Sequence, residues 1–116
     1  MRTLPERLSD IQTAITRIIK HTRDGRDRYN YDEFLQTWVI YNLYIVGEAT
    51  RAIVSEFPTF KDQHPEIKWT EIISLRTVLA HKYFDVDLDV VWSVADQSIP
   101  ELEQCIDAIV EEDKEI

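Results

Sequence analysis

The segment Leu75 to Asp87, reading LRTVLAHKYFDVD, gathers Arg76, His81 and Tyr83 within eight positions at the exit of an otherwise apolar helix. A guanidinium stays charged at any physiological pH, an imidazole exchanges protons near neutrality, and a phenol carries a reactive hydroxyl. Together these groups suit phosphate chemistry. Each also has an ordinary structural reading. Arg76 could face solvent or pair with Glu48, and His81 could be a helix C-terminal histidine favoured by the macrodipole. Tyr83 could pack its ring and leave its hydroxyl wet, and Lys82, a candidate phosphate ligand, could be a solvated charge. Five residues apart on a regular helix, Arg76 and His81 point about 140° away from each other. They converge only if the helix ends between them or if a second chain completes the pair.

The elements that must position these residues follow from hydrophobic spacing. Leu4, Leu8, Ile11, Ile15 and Ile18 alternate steps of four and three, a single apolar stripe, and Thr3 with Glu6 has the spacing of a capping box. This first helix should fade in the polar run His21 to Arg28, where Gly25 supplies a stop. Asn30 or Asp32 can cap a second helix that runs until Phe57 meets Pro58. Its two apolar rows, Phe34, Trp38, Tyr41, Ile45 and Leu35, Val39, Leu43, Val46, predict the central and most buried helix. A loop over Pro58 to Lys68 leads to a third helix from Trp69 to Ala80, with Trp69, Ile72, Ile73 and Leu79 inward. A last helical region starts near Asp87, with Val90, Val91, Val94 and Ala95 on its core side, and Pro100 kinks or divides it. No run of alternating apolar residues is long enough for a strand. The expected architecture is all-α, an up-and-down four-helix bundle with a split or kinked last helix, in one domain over residues 1–116.

Composition narrows the function classes. Two glycines, four prolines and 30% charged residues fit a helical protein better than a sheet protein. No apolar run is long enough to cross a membrane, and the first residues lack a signal peptide's apolar stretch, so a cytoplasmic location is expected. The lone Cys105 permits no internal disulfide and reads as a small packed residue. No cofactor and no structural metal are expected. His64 has no ligand-spaced partner, and Asp85, Asp87 and Asp89 lead to Val90 where a calcium loop needs glycine, which leaves helix capping as their reading. A formal net charge of −9 argues against broad nucleic-acid affinity. Positive charge collects locally at Arg17, Lys20, His21, Arg23, Arg26 and Arg28, which form either an RNA-guiding patch or solvated helix faces.

Beyond these residues the chain resembles the HepT-like toxins of the HEPN superfamily of helical ribonucleases. The resemblance rests on Arg76-x4-His81-x-Tyr83 and on the order in which VIYNLYIVGEATRAI (Val39 to Ile53), HPEIKWTEIISLR (His64 to Arg76) and YFDVDLDVVW (Tyr83 to Trp92) occur. It implies a metal-independent endoribonuclease toxin acting on RNA, with active sites shared across a homodimer. Arg76 would stabilise the scissile phosphate and His81 would take the proton from the ribose 2′-hydroxyl. Tyr83 would be adenylylated by a nucleotidyltransferase antitoxin of the MNT type. Glu48, among Gly47, Ala49 and apolar residues, is a candidate for orienting Arg76, against the plain reading of a carboxylate on a helix edge. Thr77 stands where many relatives carry Asn or Asp; it keeps a hydroxyl and loses the amide or carboxylate. A noncatalytic partner of such a nucleotidyltransferase is the alternative, and an assembly scaffold is a third reading.

Overall fold

The computed structural model describes residues 2–81 and 85–115, with the side chains of Val78, Ala80, His81 and 113–115 outside that description. Among the described residues seven α-helices follow in order: α1 (Leu4–Thr22), α2 (Arg26–Tyr31), α3 (Glu33–Glu56), α4 (Pro58–Gln63), α5 (Trp69–His81), α6 (Leu88–Ser93) and α7 (Ile99–Glu115). A π-helical turn, Val94–Ser98, joins α6 to α7. The long helices α1, α3 and α5 and the composite α6–α7 rod make a four-helix bundle whose last member is split.

Local chemistry sets most of these boundaries. Thr3 Oγ1 accepts from the Glu6 amide while Glu6 Oε1 accepts from the Thr3 amide, closing both halves of the capping box. Asp32 Oδ1 accepts from Leu35 N and so starts α3, and Asp87 Oδ1 accepts from the amides of Asp89 and Val90 to start α6. At Pro100 the missing N–H and the bulk of the ring disrupt the regular ladder just upstream, and the Ile99 amide reaches back five residues to the Val94 carbonyl. The proline thus divides the last helix through one wide turn.

The core is a continuous cluster in which Ile11, Ile15, Ile18, Val39, Leu43, Val46, Ile53, Val91 and Ile106 are almost fully enclosed. Three expectations from the sequence need correction. The polar run after α1 is not simply a loop: Gly25, at φ +94°, turns the chain into the short helix α2, and α4 occupies the first half of the expected loop before α5. α2 earns its place through Tyr29, whose ring is buried against Trp92 and whose hydroxyl donates to the Leu88 carbonyl at 2.8 Å. Second, only one apolar row of α3 faces inward. Leu35, Val39, Leu43 and Val46 are buried, whereas Phe34 is 90% and Tyr41 52% exposed. Third, Val90 is 52% exposed, because in the first turn of α6 the core is already filled by Val91 and Trp92.

Burial pushes the Tyr29 phenol up to about 12. Because its folded value lies above the ordinary value of about 10, its contribution to stability is complete below pH 10 and is lost as pH rises through about 12. Urea titrations across this range should show an alkaline decline of up to about 2 kcal/mol in the wild type that is absent from Tyr29→Phe. At neutral pH the same variant should be roughly 1–2 kcal/mol less stable, having orphaned the Leu88 carbonyl. Parallel alkaline limbs in the two proteins would show that Tyr29 is not the titrating group.

Candidate active site

Gly47 lies where α3 and α5 cross. A Cβ built there would stand 2.2 Å from Arg76 Cβ, 2.9 Å from its Cγ and 3.2 Å from its Cα, so only glycine permits this approach. The crossing carries Arg76 onto the outer face of α3, where Tyr44 and Glu48 follow one another at helical spacing. Arg76 Nε is 2.8 Å from Glu48 Oε2, and its Cζ sits 5.5 Å from the centre of the Tyr44 ring. The Nε approach lies off the line of its N–H, which finds no well-directed acceptor. The contact is therefore an ion pair and not a directed hydrogen bond. The other carboxylate oxygen, Glu48 Oε1, accepts from Arg51 Nη2 at 2.7 Å. One carboxylate thus bridges two arginines.

The hydrogen bond from Arg51, the charge of Arg51 and then that of Arg76 hold the Glu48 carboxyl below its ordinary value, against an opposing effect of burial. Its stabilising contribution is present above the ordinary carboxylate value and disappears as pH falls through the lowered one. With 34% of the Glu48 side chain exposed, solvent screens this contribution. Arg76 itself keeps 23% of its side chain accessible, while its Nε is buried.

Sequence-derived candidates separate clearly in the structure. Arg76 and Glu48 meet as the ion-pair reading anticipated. Thr77 is exposed, and its hydroxyl donates to the Ile73 carbonyl at 3.2 Å, so it bonds its own helix and not the cluster. α5 remains helical through His81, which removes the possibility that the helix ends between Arg76 and His81. The His81 side chain, Lys82 and Tyr83 lie outside the described residues. Tyr44 and Arg51 were not singled out from the sequence, although Tyr44, Glu48 and Arg51 occupy positions i, i+4 and i+7 of one helical face. Among the described residues no group of three potential metal ligands lies together, and no helix is long and apolar enough to cross a membrane.

Substituting Gly47 by alanine forces α5 away from α3 or distorts Arg76, and chemical denaturation should report a loss of about 1–3 kcal/mol. Glu48→Gln, which removes charge from a partly exposed contact, should stay within about 1 kcal/mol of wild type. Equal stability of Gly47→Ala and wild type would refute the close crossing.

A family model described as Ribonuclease HepT-like matches residues 11–109. The chain is similar to a probable ribonuclease HepT of Thermococcus cleftensis, at 38% identity over 102 residues, covering 87% of this chain and 90% of that protein. It is also similar to a Methanocaldococcus jannaschii protein named provisionally as an RNase, at 30% over 107 residues, covering 88% and 92%. A third relative, from the same archaeon, joins a gamma-glutamylcyclotransferase to a provisionally assigned RNase. It is 36% identical over 106 residues, which is 90% of this chain, and the chain spans about half (46%) of its length. Among solved structures, a chain from a crystal structure of a toxin–antitoxin with AMP-PNP shares the fold, with a TM-score of 0.70 and 24% identity over 93% of this chain and 97% of that one. With a family model spanning most of the bundle, and relatives matched nearly end to end, the chain belongs to the HepT-like ribonuclease family.

Proposed function

We propose that this chain is the toxin of a type II toxin–antitoxin pair, a metal-independent endoribonuclease that acts as a homodimer and is silenced by adenylylation of Tyr83. The observation that carries the reading is Arg76, a guanidinium held against Glu48 and Tyr44 five residues ahead of His81 on one unbroken helix. Held in this way, Arg76 offers a planar set of donors to a phosphate as charge builds on its oxygens. His81 takes the proton from a ribose 2′-hydroxyl. The 2′-oxygen attacks the adjacent phosphorus, the bond to the 5′-oxygen breaks, and that oxygen takes up a proton from solvent. The products are a 2′,3′-cyclic phosphate and a 5′-hydroxyl. Since positions five apart on one helix lie about 140° apart around its axis, this reading has the pair assembled from two copies of the chain. The solved chain that shares this fold comes from a toxin–antitoxin crystal structure, which supports the toxin part of the reading.

Adenylate on Tyr83 would place a phosphate two residues from His81, competing for Arg76 and covering the approach of the nucleophile. The transferring enzyme in this reading is an MNT-type nucleotidyltransferase using ATP and magnesium. A second reading, in which the chain is a noncatalytic partner of that nucleotidyltransferase, is favoured by Thr77, which bonds its own helix, and by the net charge of −9.

The purified chain should cleave RNA in the presence of EDTA and leave 2′,3′-cyclic ends. Arg76→Ala should lower the rate by roughly 10²–10³ and His81→Ala by roughly 10²–10⁴. Wild-type rates in both variants would exclude the site. Incubation with the nucleotidyltransferase and ATP should add adenylate to Tyr83, with cleavage falling in proportion to occupancy, and Tyr83→Phe should resist modification. No cleavage by the unmodified dimer, together with tight nucleotidyltransferase binding, would establish the noncatalytic alternative.

A further inference from the structure

The outward row of α3 and the end of α1 form a surface that the cleavage chemistry leaves unused. Phe34 is 90% exposed and Tyr41 52%, and Trp38 lies between them on the same face. The rings of Trp38 and Tyr41 stack with centroids 5.9 Å apart and planes 30° from parallel. Arg17 reaches over from α1, its Cζ 5.5 Å from the Trp38 ring centre, and the His21 ring meets Trp38 edge-on at 6.2 Å. Glu33, Phe34, Thr37, Trp38 and Tyr41 line a shallow hollow here. Of the six basic residues in this region, Arg26 pairs with Asp89 and Arg28 with Asp32. Arg17, Lys20 and Arg23 make no ion pair with a described carboxylate, whereas Glu33, Asp24 and Asp27 are the acids nearest in sequence.

We propose that this row, with the cations of the α1 terminus, is a stacking platform for single-stranded RNA that holds the strand leading to Arg76. The inference rests on the ribonuclease reading and names how that site acquires its substrate. Rings that expose their faces take unpaired bases of any sequence, and adjoining cations take the phosphates. That combination distinguishes the surface from a purely apolar docking face, whose burial would strand Arg17, Lys20 and Arg23 without counter-charge. It also supplies the local positive charge that a chain of net charge −9 needs in order to meet RNA. The distance fits. Trp38 and Glu48 are ten residues apart on α3, about 15 Å at 1.5 Å per residue, the length of four to five bases stacked at about 3.4 Å.

The test uses a 2′-O-methyl oligoribonucleotide, which lacks the hydroxyl that cleavage requires, so binding is read apart from catalysis. Because Trp69 and Trp92 are buried, quenching of tryptophan emission reports on Trp38. Wild type should bind with quenching, and Phe34→Ala and Tyr41→Ala should each weaken affinity roughly 5- to 100-fold. Arg17→Ala, on an exposed helix surface, should reduce the slope of log affinity against log salt by about 0.7. Light scattering is run on every variant. Unchanged affinity in both aromatic variants, or an unchanged salt slope in Arg17→Ala, overturns the platform. So does a fall in mass that accompanies the loss of binding, which would make this row a contact between copies of the chain. Failure of wild type to bind the oligonucleotide while it still cleaves unmodified RNA removes the platform and leaves the ribonuclease reading standing. Binding of the oligonucleotide by a chain that leaves unmodified RNA uncut removes the ribonuclease reading and, with it, the platform's role of leading a strand to Arg76.

Discussion

The close passage of α5 across α3 at Gly47 is the constraint on which the site depends. With the Arg76 side chain lying where a Cβ would otherwise stand, the two helices approach to the distance that backbone and the arginine stem allow. Packing, not charge, sets this position. A partly exposed ion pair such as Arg76–Glu48 contributes at most about 1 kcal/mol. The apolar contacts around the crossing, from Val46 and Ala49 on α3 to Leu79 on α5, are buried in the common core and are collectively much larger. The ion pair refines the direction of a guanidinium that the helices have already delivered.

Glu48 solves a second problem. An arginine packed at a helix crossing is desolvated along its stem, and a nearby carboxylate keeps the charged head anchored at the surface. A carboxylate engaged by Arg76 alone would cancel much of its field. Sharing Glu48 with Arg51 leaves the trio with one positive charge in excess, on a molecule that is strongly negative overall. Tyr44 adds a ring face to the same guanidinium without adding charge. The Arg76 guanidinium is thus held in place before any anion arrives, the condition under which electrostatic stabilisation is most effective.

The divided last helix has a related purpose in the fold. Pro100 removes a backbone donor, and one wide turn absorbs the loss, so α6 can close over Tyr29 through its Trp92 while α7 lies along α1. The tether from the Tyr29 hydroxyl to Leu88 joins α2, which precedes α3, to the start of α6, which follows the Arg76–His81 helix. Segments distant in sequence are thereby held at one end of the bundle.

Much of this was legible in the amino-acid sequence. Stripes at spacings of three and four gave α1 and the inner row of α3, and Thr3, Asp32, Asp87 and Pro100 set boundaries through chemistry that is local in the chain. The Arg76-x4-His81 spacing marked a candidate site and, with its context, the family. What the sequence could not decide depended on non-local packing. Phe34, Trp38 and Tyr41 form a row at the same helical spacing as Leu35, Val39 and Leu43, and only the position of α1 and α5 around α3 determines which row is covered. α2 and α4 are too short to announce themselves by periodicity, and each rests on contacts across the fold, Tyr29 on Trp92 and Phe60 on Trp69. Arg51 and Tyr44 read as ordinary residues of a helix face until the crossing at Gly47 brings Arg76 onto Tyr44 and Glu48. Side-chain types and local spacing determined what chemistry was available to this chain. The helix crossing decided which groups could meet, because interhelical distance is set by packing between residues far apart in sequence.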